Sequence, residues 1–300
     1  MAGLCAIGWL VDRLGYTKQE DYNRWSRVTV DVFLPLLVFH SIINGLDTSR
    51  LNDVWMLPIL GIGLMALSCG LGLIFKWGLS TRTTKRTRTF VHIASVNNFG
   101  FLPIYIISNL IGAKLMDPEM LALLFLFNLG SLIGFWTIGV VTLSGGSPRE
   151  IGKNLASPSL VTILVAIGIA HLGGKDWMPA LIMKTAESAG GISVPLMLVI
   201  TRAMLRGSFR QEPIRDVAYT TAVRNLIIPG ITIVLAGLLP FSTDARFLWT
   251  IVAVMPAAAT TPILARVHGG SAEFGSAVLV MSTIAGIVTI PLGLYLSGLF

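Results

Sequence analysis

Long apolar stretches separated by short polar ones run through the whole chain. Val28–Gly45, Val54–Phe75, Leu121–Leu143, Leu155–Leu172, Met178–Leu205, Val217–Leu239 and Ala272–Phe300 are each long enough for a membrane-spanning helix, which needs roughly 17–25 residues. Two further stretches, Phe90–Ser108 and Phe247–Arg266, have the same apolar weight but carry residues that oppose an unbroken helix. The first contains Asn97-Asn98-Phe99-Gly100-Phe101-Leu102-Pro103, the second Pro256 and Pro262. Proline removes an N–H and clashes with the carbonyl four residues back, and glycine lets the chain leave helical φ/ψ at little cost. Lipid cannot satisfy a backbone opened this way, so each break must be buried in protein or line a wet cavity. Met1–Val11 is apolar but too short to span unaided, and reads as the end of a first helix. The pattern predicts an all-α polytopic membrane protein with about ten transmembrane helices, the fourth and ninth broken.

Composition supports that class. Of 300 residues, 54% are hydrophobic and 12% charged, whereas a soluble protein carries roughly 25% charged residues. The net charge of +7 suggests nucleic acid until the basic residues are placed, for they form no single patch. Alternate loops carry Arg13, Lys18, Arg24 and Arg27; Lys76, Arg82, Lys85, Arg86 and Arg88; Arg149 and Lys153; Arg202, Arg206, Arg210 and Arg215; and Arg266. The loops between them carry one each, Arg50, Lys114, Lys175 and Arg246. That alternation is the positive-inside rule. It predicts an integral protein of the plasma (inner) membrane with both termini extracytoplasmic, and no nucleic-acid partner. Cys5, Cys69 and the four histidines have no metal-ligand spacing, so neither metal nor cofactor is expected.

An odd number of spans per half inverts the second half relative to the first. The expected organisation is a first five-helix repeat over 1–145, a cytoplasmic linker over 146–154, and a second, inverted repeat over 155–300. The prolines agree: the stretch from Pro35 to Pro103 differs by one residue from that between Pro195 and Pro262. Helix breaks at corresponding places in two inverted halves point to a transporter's substrate site.

Three stretches resemble the auxin efflux carrier family of permeases: Val32–Phe39 (VFLPLLVF), Asn97–Pro103 (NNFGFLP) and Met255–Pro291, with its Met-Pro, small residues and Ser-Thr before Thr-Ile-Pro. The resemblance covers nearly the whole chain apart from a shortened first helix. It implies a bile acid/auxin carrier-type fold, with two inverted five-helix repeats and two crossing broken helices. It also implies secondary transport of small organic anions, auxin-like aromatic acids or dicarboxylates. One departure matters. The family break often has one Asn followed by Gly, whereas Asn97-Asn98-Phe99-Gly100 has a second Asn and a Phe, leaving open which carboxamide faces the site.

The substrate-binding candidates are Asn97, Asn98, Gly100 and Pro103 in one break, Pro256, Thr260, Thr261 and Pro262 in the other, and Asn128 in the fifth span. The carboxamides and hydroxyls can meet substrate or cap freed backbone, while the prolines and Gly100 shape the breaks. Lys184, Glu187, Arg224 and His40 are the candidates for a charge or proton role, since ionisable groups at depth are costly. Each has a plainer alternative: Lys184 and Glu187 can pair at i,i+3, Arg224 can snorkel to a basic loop, His40 can be a packing histidine, and Asp31 can pair locally. No nucleophile–base set is apparent, so an enzyme is not expected. The competing class is a ligand-sensing membrane module without transport. Lipid, a small organic anion and a second copy in a homodimer are the expected partners.

Overall fold

The computed structural model describes residues 19–47, 54–110, 118–144, 158–193 and 212–298, with 7, 10, 11, 13–16, 195, 196 and 199. Most of Met1–Val11, the 146–154 linker and the second half of the expected seventh span lie outside the described residues. Among those described, every regular element is a helix. In chain order they are α1 (Gln19–Val28), α2 (Leu34–Gly45), α3 (Met56–Phe75), α4 (Thr84–Ser95), α5 (Phe101–Leu110), α6 (Pro118–Gly134), α7 (Val140–Ser144) and α8 (Pro158–His171). There follow α9 (Gly174–Trp177), α10 (Ala180–Gly191), α11 (Ile214–Ala222), α12 (Ile228–Leu238), α13 (Thr243–Ala253), α14 (Thr261–Val267) and α15 (Ala272–Leu296).

Five helical runs are long and apolar enough to cross a membrane: Arg24–Gly45, Met56–Gly78, Glu119–Ser144, Ile214–Leu238 and Ala272–Leu296. They fall on the expected second, third, fifth, eighth and tenth spans. Their outward faces are as apolar as their cores. On α15, Val278, Leu279 and Ser282 are buried while Ile284, Ile287 and Val288 are exposed. A helix hydrophobic all round is built for lipid on one side and protein on the other.

Three of these runs contain a wide π-helical turn: Thr29–Phe33 joins α1 to α2, Phe135–Gly139 joins α6 to α7, and Val223–Ile227 joins α11 to α12. Two have a visible cause. Pro35 and Pro229 follow within two residues of their turns and cannot donate to the carbonyls four residues back, at Asp31 and Asn225. A widened turn relieves the clash.

The chain divides into two compact units. The first comprises 1–55, 104–129 and 156–206. Here α8 and α10 pack on α2, which buries Leu37, Val38, Ile42 and Ile43. Asp31 makes a local ion pair with Arg27 at 3.7 Å. Gly190 lies flat against the Leu37 backbone, where a Cβ has no room.

The second unit comprises 56–103, 130–155 and 207–300. Its helices α3 and α4, α12 and α13, and α14 and α15 pack in pairs, with α15 also against α11. The loop entering α4 is pinned by Asp216, fully buried near the start of α11. Its carboxylate accepts from the Ser80 N–H and hydroxyl, both at 2.7 Å, and from the Thr81 N–H at 3.1 Å. Arg86 bridges the same group, with Nη1 3.6 Å from Asp216, to Glu212. The Tyr219 hydroxyl donates to the Phe75 carbonyl and its ring stacks on Phe90. Thus the basic stretch leading to the first break is fixed on α11.

Gly130 tests this packing. A Cβ there would overlap the Pro58 carbonyl. Gly130→Ala should cost ~1–3 kcal/mol through overpacking. Gly63→Ala, with nothing within 4 Å of the new methyl, should be neutral or slightly stabilising. Thermal unfolding in detergent distinguishes them, and equal melting points would refute the close contact.

Candidate functional site

Both interrupted stretches lose their helix where the prolines and Gly100 demand it. Helix α4 ends at Ser95 and α5 begins at Phe101; α13 ends at Ala253 and α14 begins at Thr261. The two unwound segments lie side by side. Asn97 and Ala257 form an antiparallel bridge, and the Asn98 N–H donates to the Pro256 carbonyl at 2.9 Å. Each break therefore supplies partners that the other's helix lost.

Side chains complete the satisfaction. The Asn97 carboxamide Nδ2 donates to the Val252 carbonyl at 2.6 Å. The Ala257 N–H donates to Ser282 Oγ at 3.0 Å, and that hydroxyl donates to Asn225 Oδ1 at 2.6 Å. Asn225 Nδ2 in turn donates to the Ser282 carbonyl at 2.9 Å and to Thr289 Oγ1 at 3.2 Å. Arg224 is 0% exposed, the largest fully buried side chain described. Its guanidinium donates to three carbonyls: Ala94 in the last turn of α4 at 3.0 Å, Ala253 at the end of α13 at 2.7 Å, and Met255 beyond it at 3.1 Å. Helix C-termini carry unpaired carbonyls and partial negative charge, so a cation there is favourable on both counts. The fork of donors on arginine suits several acceptors at once. The π turn Val223–Ile227 presents Arg224 and Asn225 as adjacent residues, and both meet the unwound segments or their supports.

Beside the bridge lies a small apolar cluster of Met65, Val96, Phe135 and Ala258, with Phe99, Trp136 and Leu264 against it. Phe135 packs edge-on to Phe99 at 6.0 Å and to Trp136 at 4.9 Å. The Trp136 indole N–H is buried without a hydrogen-bond partner. An unmet N–H in an aromatic setting is a donor waiting for an acceptor. Met65 also lines a tight crevice, too narrow for a water, with Ser95, Asn97, Ser131 and Val252.

Residues 3–151 match the family model described as membrane transport protein. A protein of Methanothermobacter thermautotrophicus described as an uncharacterized transporter is 25% identical over 295 residues, covering 96% of this chain and 93% of the relative. The chain belongs to the membrane transport protein family. That is the permease family its motifs resemble. With its several spanning helices, this membrane transport protein is an integral, multi-pass membrane protein.

Of the residues singled out from the sequence, the second unit of this transport protein gathers Asn97, Asn98, Gly100, Pro103, Arg224, Pro256, Thr260, Thr261 and Pro262. Asn97 is spent on backbone. The Asn98 side chain is half-buried and makes no hydrogen bond among the described residues. The Thr261 hydroxyl is buried without a partner, and Thr260 is exposed. Asn128, His40, Lys184 and Glu187 belong to the other unit. Asn128 is buried on α6. Lys184 and Glu187 are both exposed and make no ion pair with each other, while Glu187 acts electrostatically on His40 across the packing of α2 and α10. Arg224 does not snorkel: it turns inward, to three carbonyls. Sequence reasoning missed Asn225, Phe135 and Trp136. An Arg-Asn pair inside an apolar span was the available signal for the first; nothing marks the aromatics.

The two carboxamides should separate experimentally. Asn97→Ala leaves the buried Val252 carbonyl unmet and should cost ~1–3 kcal/mol. Asn98→Ala removes no such bond and should leave stability within about 0.5 kcal/mol of the parent, with the melting temperature nearly unchanged. The reverse ranking in thermal unfolding would reassign which Asn holds the break.

Proposed function

We propose that this protein is a secondary transporter that moves small organic anions across the plasma (inner) membrane by alternating access. The observation that carries the reading is the pairing of two broken segments over one buried, permanently charged Arg224. Paired breaks in spanning helices are the recurring construction of transporter sites. A fixed cation favours an anion nearby, the more so because no carboxylate pairs with Arg224 among the described residues. The groups proposed to meet substrate are the Asn98 carboxamide, the Thr261 hydroxyl, and the free N–H groups where α5 begins beyond Gly100, a favourable place for a carboxylate. Phe99, Phe135 and Trp136 favour aromatic acids over dicarboxylates: the rings offer a stacking surface, and the indole N–H a charge-assisted bond.

The fuller architecture belongs to the same proposal. Ten helices form two inverted repeats, with both termini outside. Each compact unit draws on both halves of the chain: 1–55 is grouped with 156–206, and 56–103 with 207–300. That grouping is what an internal repeat of equivalent segments would produce. No chemistry is assigned to the site, and the reading is of a carrier, not an enzyme.

Uptake into proteoliposomes tests this. Auxin-like indole acids should accumulate against a solute-free control, and small dicarboxylates more weakly. Trp136→Phe keeps the ring but loses the N–H, and should raise KM for aromatic acids about tenfold with the melting point unchanged. Asn98→Ala should lower uptake without unfolding the protein. Binding of these acids without flux of any organic anion would favour a sensor. Unchanged kinetics in both variants would take these residues out of the site.

A further inference from the structure

Where broken helices meet in a carrier, the unwound carbonyls and half-helix C-termini form an oxygen cage of the kind that binds a dehydrated monovalent cation. Three such oxygens converge here, from Ala94 at the end of α4 and from Ala253 and Met255 at the end of α13. The position between them is filled by the protein itself. Arg224 Nη1, Nη2 and Nε each donate to one oxygen, at 3.0, 2.7 and 3.1 Å, and the side chain is 0% exposed. No acidic side chain lies in either unwound segment, 96–100 or 254–260, to help hold a free metal ion.

We infer that Arg224 is a tethered cation occupying the place of a coupling ion at the paired breaks, so that this protein assembles its site without sodium. A bound ion would gather the three carbonyls by coordination and could leave with the substrate. A guanidinium gathers them by hydrogen bonds and remains attached to the helix. Its charge is retained at neutral pH. The break therefore keeps a positive centre throughout, and sodium has neither a vacant cage to enter nor a charge to supply. The widened turn Val223–Ile227 is part of the device, because it seats Arg224 toward the unwound segments and Asn225 toward Ser282.

Melting of the purified full chain in sodium, potassium and choline chloride at equal ionic strength provides the test. The parent protein should melt at one temperature in all three. Arg224→Ala opens the cage: it should melt lower in choline, and sodium should restore about 5 °C that choline does not. Arg224→Lys keeps a charge and should stay folded and indifferent to the salt. Arg224→Gln keeps donors without charge and should lose stability as Ala does. A sodium-specific rise in the parent, a Gln variant as stable as the parent, or an Ala variant equally unstable in sodium and choline would each overturn the inference. Should neither the Ala nor the Gln variant be recovered folded, the parent and Lys arms decide, and an unfolded Lys variant would overturn the inference, because fork geometry rather than charge would then hold the breaks. The inference rests on the carrier reading only for flux, which should be equal in sodium and choline. Absence of all flux would count against that reading and leave the melting data to judge Arg224.

Discussion

Opening a helix inside a membrane leaves backbone groups that lipid cannot satisfy, at several kcal/mol for each group left unmet. This protein does it twice, and a small set of its buried polar residues answers that debt. The Asn98 N–H finds Pro256, the Ala257 N–H finds Ser282, Asn97 takes the Val252 carbonyl, and Arg224 takes three more. Asn225 holds Ser282 in position from a neighbouring helix. These contacts form one connected set. Removing any member strands the others in a dry interior, so the set acts as a single structural unit. Among the polar groups that stay free are the Asn98 carboxamide, the Thr261 hydroxyl and the Trp136 indole N–H, with the Thr250 hydroxyl and His92 Nε2 on the helices leading into the breaks. In the proposed carrier, the division between occupied and unoccupied polar groups separates the residues that build the site from those available to a ligand.

The coarse architecture was legible because membrane spanning imposes length and polarity rules on local sequence. The runs ending at Gly45, Gly78, Ser144, Leu238 and Leu296 could be read from apolar length alone. The breaks were legible for a different reason: Pro103, Gly100, Pro256 and Pro262 act on their own backbone, whatever surrounds them. Partnership was not legible to the same extent. Arg224 looked free to reach a basic loop because snorkelling is a property of a single helix, whereas its actual targets lie 130 and about 30 residues away in sequence. Nor could adjacent identical side chains be told apart. Asn97 and Asn98 differ only in which way the unwound chain turns them, and that is set by the bridge to Ala257. The Phe99–Phe135–Trp136 contact joins residues that in sequence resemble any other apolar filling.

The π turns connect these two levels. Pro229 reads as a simple kink, yet its effect is to widen the turn before it, which holds Arg224 and Asn225. An ordinary α turn would place consecutive residues about 100° apart around the axis; widening changes that angle and the register of everything beyond. A local steric fact at one proline thus sets where a charge and a carboxamide point. The turn at Thr29–Phe33, before Pro35, shows the same local cause in the other unit, where Asp31 stays exposed and pairs with Arg27. Identical backbone chemistry therefore yields a structural centre in one place and a surface ion pair in the other, and the difference lies in what packs against each turn.

The identity of the buried cation follows from geometry as well as charge. Three carbonyls from two helix ends and an adjoining turn need donors that diverge from one point at fixed angles. A lysine ammonium can point to three acceptors, but as a compact, strongly hydrated centre on a flexible stem it gives up more solvation and more side-chain entropy to do so. Guanidinium is planar, more weakly hydrated and already forked. It can therefore sit fully buried against carbonyls alone, with no carboxylate beside it among the described residues. The helix ends contribute about half an elementary charge each of the opposite sign, enough to offset much of the burial cost. In the proposed carrier, the field at the breaks, rather than a direct contact, is how a residue wholly engaged with the backbone favours an anion at the neighbouring free groups.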